Sequence, residues 1–103
     1  MKTVVGENGH TWEIETVREW KNLKVMEINM EEGINGVSFP CKNPGEYRIL
    51  INRDLTEREK LEVFIHEMIH LYRRDHDKPS KMLNRFEAEC HQLTHEIMEA
   101  LGL

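Results

Sequence analysis

Apolar positions alternate with polar ones through the first half of the chain and recur every three to four residues through the second. Val4, Val5 and the run Thr11 to Val17 flank Gly6-Glu7-Asn8-Gly9. Asn-Gly is a strong hairpin signal because both residues tolerate the positive φ that a tight turn requires, and His10 beside it reads as a turn residue. Ile14, Val17 and Trp20 also fit a helical period, so residues 12–23 read as strand or helix. Lys24 to Met30 alternates through Val25, Met26, Glu27 and Ile28, and Val37-Ser38-Phe39 is a second short run. Gly33, Gly36, Pro40, Asn43, Pro44 and Gly45 punctuate the chain between runs. Tyr47 to Asn52 is the best strand candidate and leads almost directly into a helix.

That helix starts at Thr56-Glu57-Arg58-Glu59, which has the form of a capping box. Leu61, Phe64, Ile65, Met68, Ile69 and Tyr72 follow at helical spacing. The polar run Arg73 to Lys78 and then Pro79 end it, and Ser80 is the expected cap of a second helix. Leu83, Phe86, Cys90, Leu93, Ile97 and Leu101 form an amphipathic stripe of about five turns, which Gly102 is suited to stop. Strands first and helices afterwards predict an α+β fold, a small N-terminal sheet packed on two helices.

A chain of 103 residues has room for one core, and residues 1–103 are read as a single compact domain. A net charge of −5 argues against direct nucleic-acid binding, which needs a basic surface. No apolar run is long enough to span a bilayer, and residues 1–6 do not read as a signal peptide. Cys41 and Cys90 are the only cysteines. They fit neither a metal-binding pair nor a disulfide framework, so they are expected to be small buried residues, reduced in a cytoplasm.

The candidate chemistry lies in His66-Glu67-Met68-Ile69-His70. Histidines four apart on a helix share a face and can converge on one metal ion. A Glu next to the first of them can serve as general base toward a water at that ion and then return the proton to a leaving amine. With Val63, Phe64 and Ile65 just before it, the pair sits at the edge of a buried face. Catalytic zinc ordinarily takes three protein ligands and a water, so a third ligand is needed. His76 falls at the spacing of the H-E-x-x-H-x-x-G-x-x-H pattern, but Arg73 stands where that pattern has its Gly. Glu87 is better placed, on the stripe of the second helix, with Glu89 roughly opposite and expected to be solvated. His91, one turn on, could complete the site, polarise a carbonyl or orient a ligand, and with His95 it makes a second pair at ligand spacing.

Ile49-Leu50-Ile51-Asn52, Leu55 and Phe64-Ile65-His66-Glu67-x-x-His70-Leu71 resemble the ImmA/IrrE family of metallopeptidases, in which a strand ending in I-x-I-N leads into an H-E-x-x-H helix. The E-x-E-A-x-x-F-A element of that family is similar to Glu87-Ala88-Glu89-Cys90-His91-Gln92-Leu93-Thr94. The likeness spans roughly residues 34–101. Met68-Ile69 stands in place of the usual L-G pair, Cys90 and Thr94 in place of two Ala, and the L-L-M-P end and a helix-turn-helix segment are absent. The resemblance implies a zincin-like fold, zinc held by His66, His70 and Glu87, Glu67 as catalytic base, and a repressor-type regulator as substrate. Val63 to Tyr72 is also similar to the SprT-like proteases, which favour H-E-M-I-H before a Tyr. Met82 stands where their H-G-x-x-F element would supply a His four residues before Phe86, so this family is the runner-up.

The resulting expectation is a zinc metallopeptidase acting on a peptide bond of an intracellular protein. An exposed strand, Tyr47 to Asn52 or its neighbour, would receive the substrate as an added strand. The alternative is a non-catalytic interaction module stapled by zinc, which a fourth protein ligand such as His91 would mark.

Overall fold

In the computed structural model residues 2–5, 9 and 11–103 are described. The turn expected at Gly6, Glu7 and Asn8, and the reading of His10, lie outside the described residues. Five strands, β1 (Lys2–Val5), β2 (Thr11–Trp20), β3 (Leu23–Ile28), β4 (Gly36–Pro40) and β5 (Tyr47–Asn52), precede two helices, α1 (Glu57–Arg73) and α2 (Leu83–Ala100). The strands form one mixed sheet in the order β1-β2-β3-β5-β4. β3 and β5 run parallel, and the other neighbouring pairs are antiparallel. The ambiguous stretch 12–23 is a strand and a turn, not a helix. β2 pairs with β1 on one side and β3 on the other, with its register shifted between Thr16 and Arg18. Two sets of cross-strand partners outweigh a helical period carried by three residues.

Val25 and Ile28 of β3 and Ile49 and Ile51 of β5 are buried, and Ile49 is fully covered. Val63, Phe64 and Leu71 of α1 lie against the Val25–Ile49–Ile51 core, with Leu23 and Leu55 at its margin. The start of α1 has the expected capping box. Glu59 donates its backbone N–H to Thr56 Oγ1 at 3.2 Å, and Thr56 donates its own to Glu59 Oε1 at 3.0 Å. Lys60 adds an ion pair to Glu27 of β3. Asn52 fixes the strand-to-helix corner. Its side-chain oxygen accepts from Asp54 N–H, and its amide donates to Ile34 O, tying the corner to the loop that enters β4.

Two expectations for α2 change. Ser80 does not cap it. Ser80–Met82 is a short 3-10 turn that runs straight into the helix, and neither turn nor helix has a side-chain cap. The buried row is Phe86, Cys90, Thr94 and Met98, while Leu83, Leu93, Ile97 and Leu101 remain exposed. Thr94 can join the buried row because its hydroxyl donates to Cys90 O at 2.7 Å. Cys90 is buried as expected, whereas Cys41 is only half-buried. Gly102 ends α2 at φ 76°. Gly102 and Leu103 donate backwards to Glu99 O and Met98 O, the two bonds of a Schellman stop.

β5 is interior, paired with both β3 and β4. The exposed edge next to α1 is therefore its neighbour β4. Gly36 brings that edge onto the helix: a Cβ there would overlap Val63 Cγ1 and stand 3.1 Å from Leu50 O. Among the described residues no helix is long and apolar enough to cross a membrane.

Candidate metal centre

α1 turns His66 and His70 to one face, with their Nε2 atoms 3.1 Å apart. Across from them α2 presents Glu87, whose Oε2 stands 3.0 Å from His66 Nε2 and whose Oε1 stands 2.8 Å from His70 Nε2. Ligands 2.0–2.1 Å from a tetrahedral zinc lie about 3.3 Å from one another. The His66–His70 separation approaches that edge length, while Glu87 meets each His with a different oxygen. One ligand atom from each of the three lies within 4.8 Å of the others, so together they could hold a divalent ion of the zinc class. His66 and His70 are largely enclosed, while the Glu87 side chain is 59% exposed. The cluster thus opens on the side of α2.

The ring of His70 is held from behind. Its Nδ1 lies 2.8 Å from Asp75 Oδ2, and Asp75 is buried. A carboxylate accepts only, so Nδ1 donates to Asp75, and an ion in the cluster would then find Nε2 as the ring's ligand atom in place of the present contact with Glu87. Burial raises the Asp75 carboxyl. The hydrogen bonds from His70 and Lys78, with the charge of Arg73, outweigh it and hold the group below its ordinary range. Asp75 was not foreseen. It stands in a polar run that reads as a solvated helix end, and it reaches His70 because Arg74 takes a left-handed φ of 58°. The chain therefore makes a sharp turn after the second His without the Gly that such turns favour.

Cys90 closes the back of this arrangement, its Sγ 3.4 Å from His70 Nδ1 and 3.6 Å from Asp75 Oδ2. Asp75 and Cys90 could in principle join His70 in a second ligand group. Burial, reinforced by the charge of Asp75, pushes the thiol up to about 11. At neutral pH it is therefore a weak S–H donor, directed at Asp75.

Glu67 is the one buried residue of α1, and its carboxylate has no hydrogen-bond partner among the described residues. Buried carboxylates normally find partners; this one borders open space instead. On one side lies a cleft of about 430 Å³ that it shares with Gly36, His66, Glu87 and His91, among others. On the other a smaller cleft of about 280 Å³ is bordered by Gly36, Val37 and Ser38 of β4 with His70, His76 and Glu87. Gly36, Glu67 and Glu87 line both clefts.

The other candidates are placed elsewhere. His76 is not in the cluster. Its Nε2 lies 3.4 Å from Asp77 and its ring stands edge-on to Tyr47, so it borders the cleft without facing the other ligands. His91 lines the larger cleft, but its Nε2 faces His95 at 3.2 Å. Glu89 is not simply solvated: it pairs with Arg73 and with Arg85. Arg73 also lies over the Phe86 ring, so the residue in place of the motif Gly helps hold α1 to α2. Compared with protein-family models, characterised proteins and solved structures, the chain matches none.

Proposed function

We propose that this chain is a zinc-dependent metallopeptidase with a zincin-like fold. The observation that carries the reading is the buried, unpartnered Glu67 carboxylate beside the converging His66, His70 and Glu87. When bound, zinc would polarise a scissile carbonyl and bring the pKa of water at the site to about 7. The rest is the work of the chain. His66, His70 and Glu87 hold the ion, Asp75 fixes the His70 tautomer, and Glu67 accepts a proton and later delivers it to the leaving amine. A peptide laid along β4 as an added strand would pass between the edge and Glu67, in the groove formed by the two clefts. The resemblance to the ImmA/IrrE family makes a repressor-type regulator the leading substrate class.

The stapled-module alternative would require a fourth protein ligand. Among the described residues His91 is not within ligand reach of the cluster, which favours an open site. The test is zinc content by plasma mass spectrometry, paired with hydrolysis of a quenched fluorescent casein. Wild type should hold zinc and cleave. His66→Ala and Glu87→Ala should lose the ion, and His76→Ala should keep it. Glu67→Gln should keep zinc and lose about 10²–10⁴-fold in rate. Equal cleavage by wild type and Glu67→Gln would refute the base, and folded wild type without zinc would refute the centre.

A further inference from the structure

The two helices carry the same pattern. Glu-x-x-x-His-x-x-x-His occurs at Glu62, His66 and His70 on α1, and again at Glu87, His91 and His95 on α2. The first cluster takes both histidines of α1 and the glutamate of α2. At the other end of the contact the roles exchange. His91 and His95 of α2 converge, and Glu62 of α1 lies beside His95, its Oε1 3.9 Å from His95 Nε2. Since Glu62 lies beside His95 while His70 lies beside Glu87, the helices run antiparallel. A local twofold between them would exchange the two clusters.

The geometry of the two pairs agrees closely. Nε2 to Nε2 is 3.2 Å for His91 and His95, against 3.1 Å for His66 and His70. Their ring centroids are 4.5 and 4.8 Å apart, with interplanar angles of 80° and 67°. Both spacings match the edge of about 3.3 Å expected between two nitrogens on one tetrahedral ion. Without an ion, the second pair is at most an N–H···N bond between neutral rings. On a surface where the His95 side chain is 58% exposed, water would serve those atoms as well. The three side chains do not yet lie within mutual ligand reach; the Glu62 side chain, 34% exposed, would have to swing toward His91 to complete the set.

We propose that Glu62, His91 and His95 form a second divalent-cation site, for an ion of the zinc class, on the same cleft as the first centre. Imidazole and carboxylate donors suit such ions. The two sites differ in support: no buried carboxylate holds a ring here as Asp75 holds His70, so this site is the weaker and fills second. Its occupant would tie α1 to α2 at the end remote from Asp75, and would add positive charge to a cleft that His91 and Glu62 share with His66 and Glu67. Whether the first centre performs hydrolysis does not enter.

Equilibrium dialysis against Zn²⁺, with the bound ion counted by plasma mass spectrometry, tests this on wild type, His66→Ala, His95→Ala and the double variant. Circular dichroism checks that each is folded, and His91→Gln provides a second, milder removal of the site. Two ions in wild type, one in each single variant and none in the double variant is the expected result. A single ion lost with His95→Ala and kept with His66→Ala would support this site while removing the first. A single ion lost only with His66→Ala, or zinc counts unchanged in both His95→Ala and His91→Gln, would overturn it and leave the first centre standing.

Discussion

His70 shows how much the proposed metal site would depend on an atom that never touches the metal. Its Nε2 can face the cluster only while Nδ1 keeps its proton, and Asp75 secures that proton with a buried carboxylate. Replacing Asp75 by Asn keeps an acceptor near His70 but removes the charge that strengthens the bond and makes the ring a better donor to the ion. Asp75→Asn should therefore weaken zinc binding about 10–100-fold with the fold retained, as measured by competition with a chromogenic chelator; unchanged affinity would make Asp75 a structural residue only. The contrast with the ligands explains what was legible at this scale. His66, Glu67 and His70 could be read because a helix converts a spacing of four into a shared face, and Glu87 because its stripe had to pack on that helix. Asp75 could not be read, since it depends on a left-handed Arg74, a conformation that a non-glycine residue seldom adopts. The same logic yields a second test. Arg74→Gly should stabilise the protein by about 0.5–1 kcal/mol by relieving the left-handed strain, seen as a higher urea midpoint with unchanged slope.

Helix α1 and strand β4 act as a unit, and their contact has no room to spare. Gly36 lies so close to Val63 that a methyl group would overlap it, with Leu50 O also near. Gly36→Ala should cost about 1–3 kcal/mol, as overpacking does, and Val63→Ala in the same chain should recover part of that loss. Chemical unfolding of the two single variants and the double variant gives the coupling, and strict additivity would show that the two residues do not meet. The start of α1 is a separate stabilising element. Its backbone hydrogen bond from Thr56, with that of the Thr56 side chain, holds the Glu59 carboxyl below the ordinary 4.5. A group whose folded pKa is depressed contributes stability above its unfolded pKa and loses it as pH falls through the folded value. Wild type should therefore exceed Glu59→Ala in stability near neutral pH, and the difference should shrink as the pH is lowered below the ordinary 4.5. Thr56→Ala should cost about 1 kcal/mol. The helix start was legible because capping is local chemistry. The choice of strand for residues 12–20, the edge position of β4 and the face that α2 buries were not, since each is decided by partners distant in sequence.

In the whole molecule the sheet and α1 share one core, whereas α2 is attached chiefly to α1. Its buried row is Phe86, Cys90, Thr94 and Met98, and three of its large apolar side chains, Leu83, Leu93 and Ile97, stay exposed. The Arg73–Glu89 pair and the stacking of Arg73 and Lys78 on Phe86 add to the hold. Because it docks chiefly on α1 and stands apart from the sheet's core, α2 is expected to open before the sheet does. An ion between His66, His70 and Glu87 would join the two helices, so metal binding and the docking of α2 would be coupled. A ligand that binds only the folded chain stabilises it by about 2.7 kcal/mol at a hundredfold excess over Kd, which for a domain of this size raises Tm by on the order of 10 °C. Global melting alone would not reveal where that stability enters. Native-state hydrogen exchange would: chelation should speed exchange in the amides of α2 well before those of β5, and Glu87→Ala should give α2 the fast exchange of the metal-free protein whether or not zinc is present. Protection rising evenly across sheet and helices would instead mean that the protein opens only as a whole, with the ion adding to the global unfolding free energy and α2 docked equally firmly with or without it.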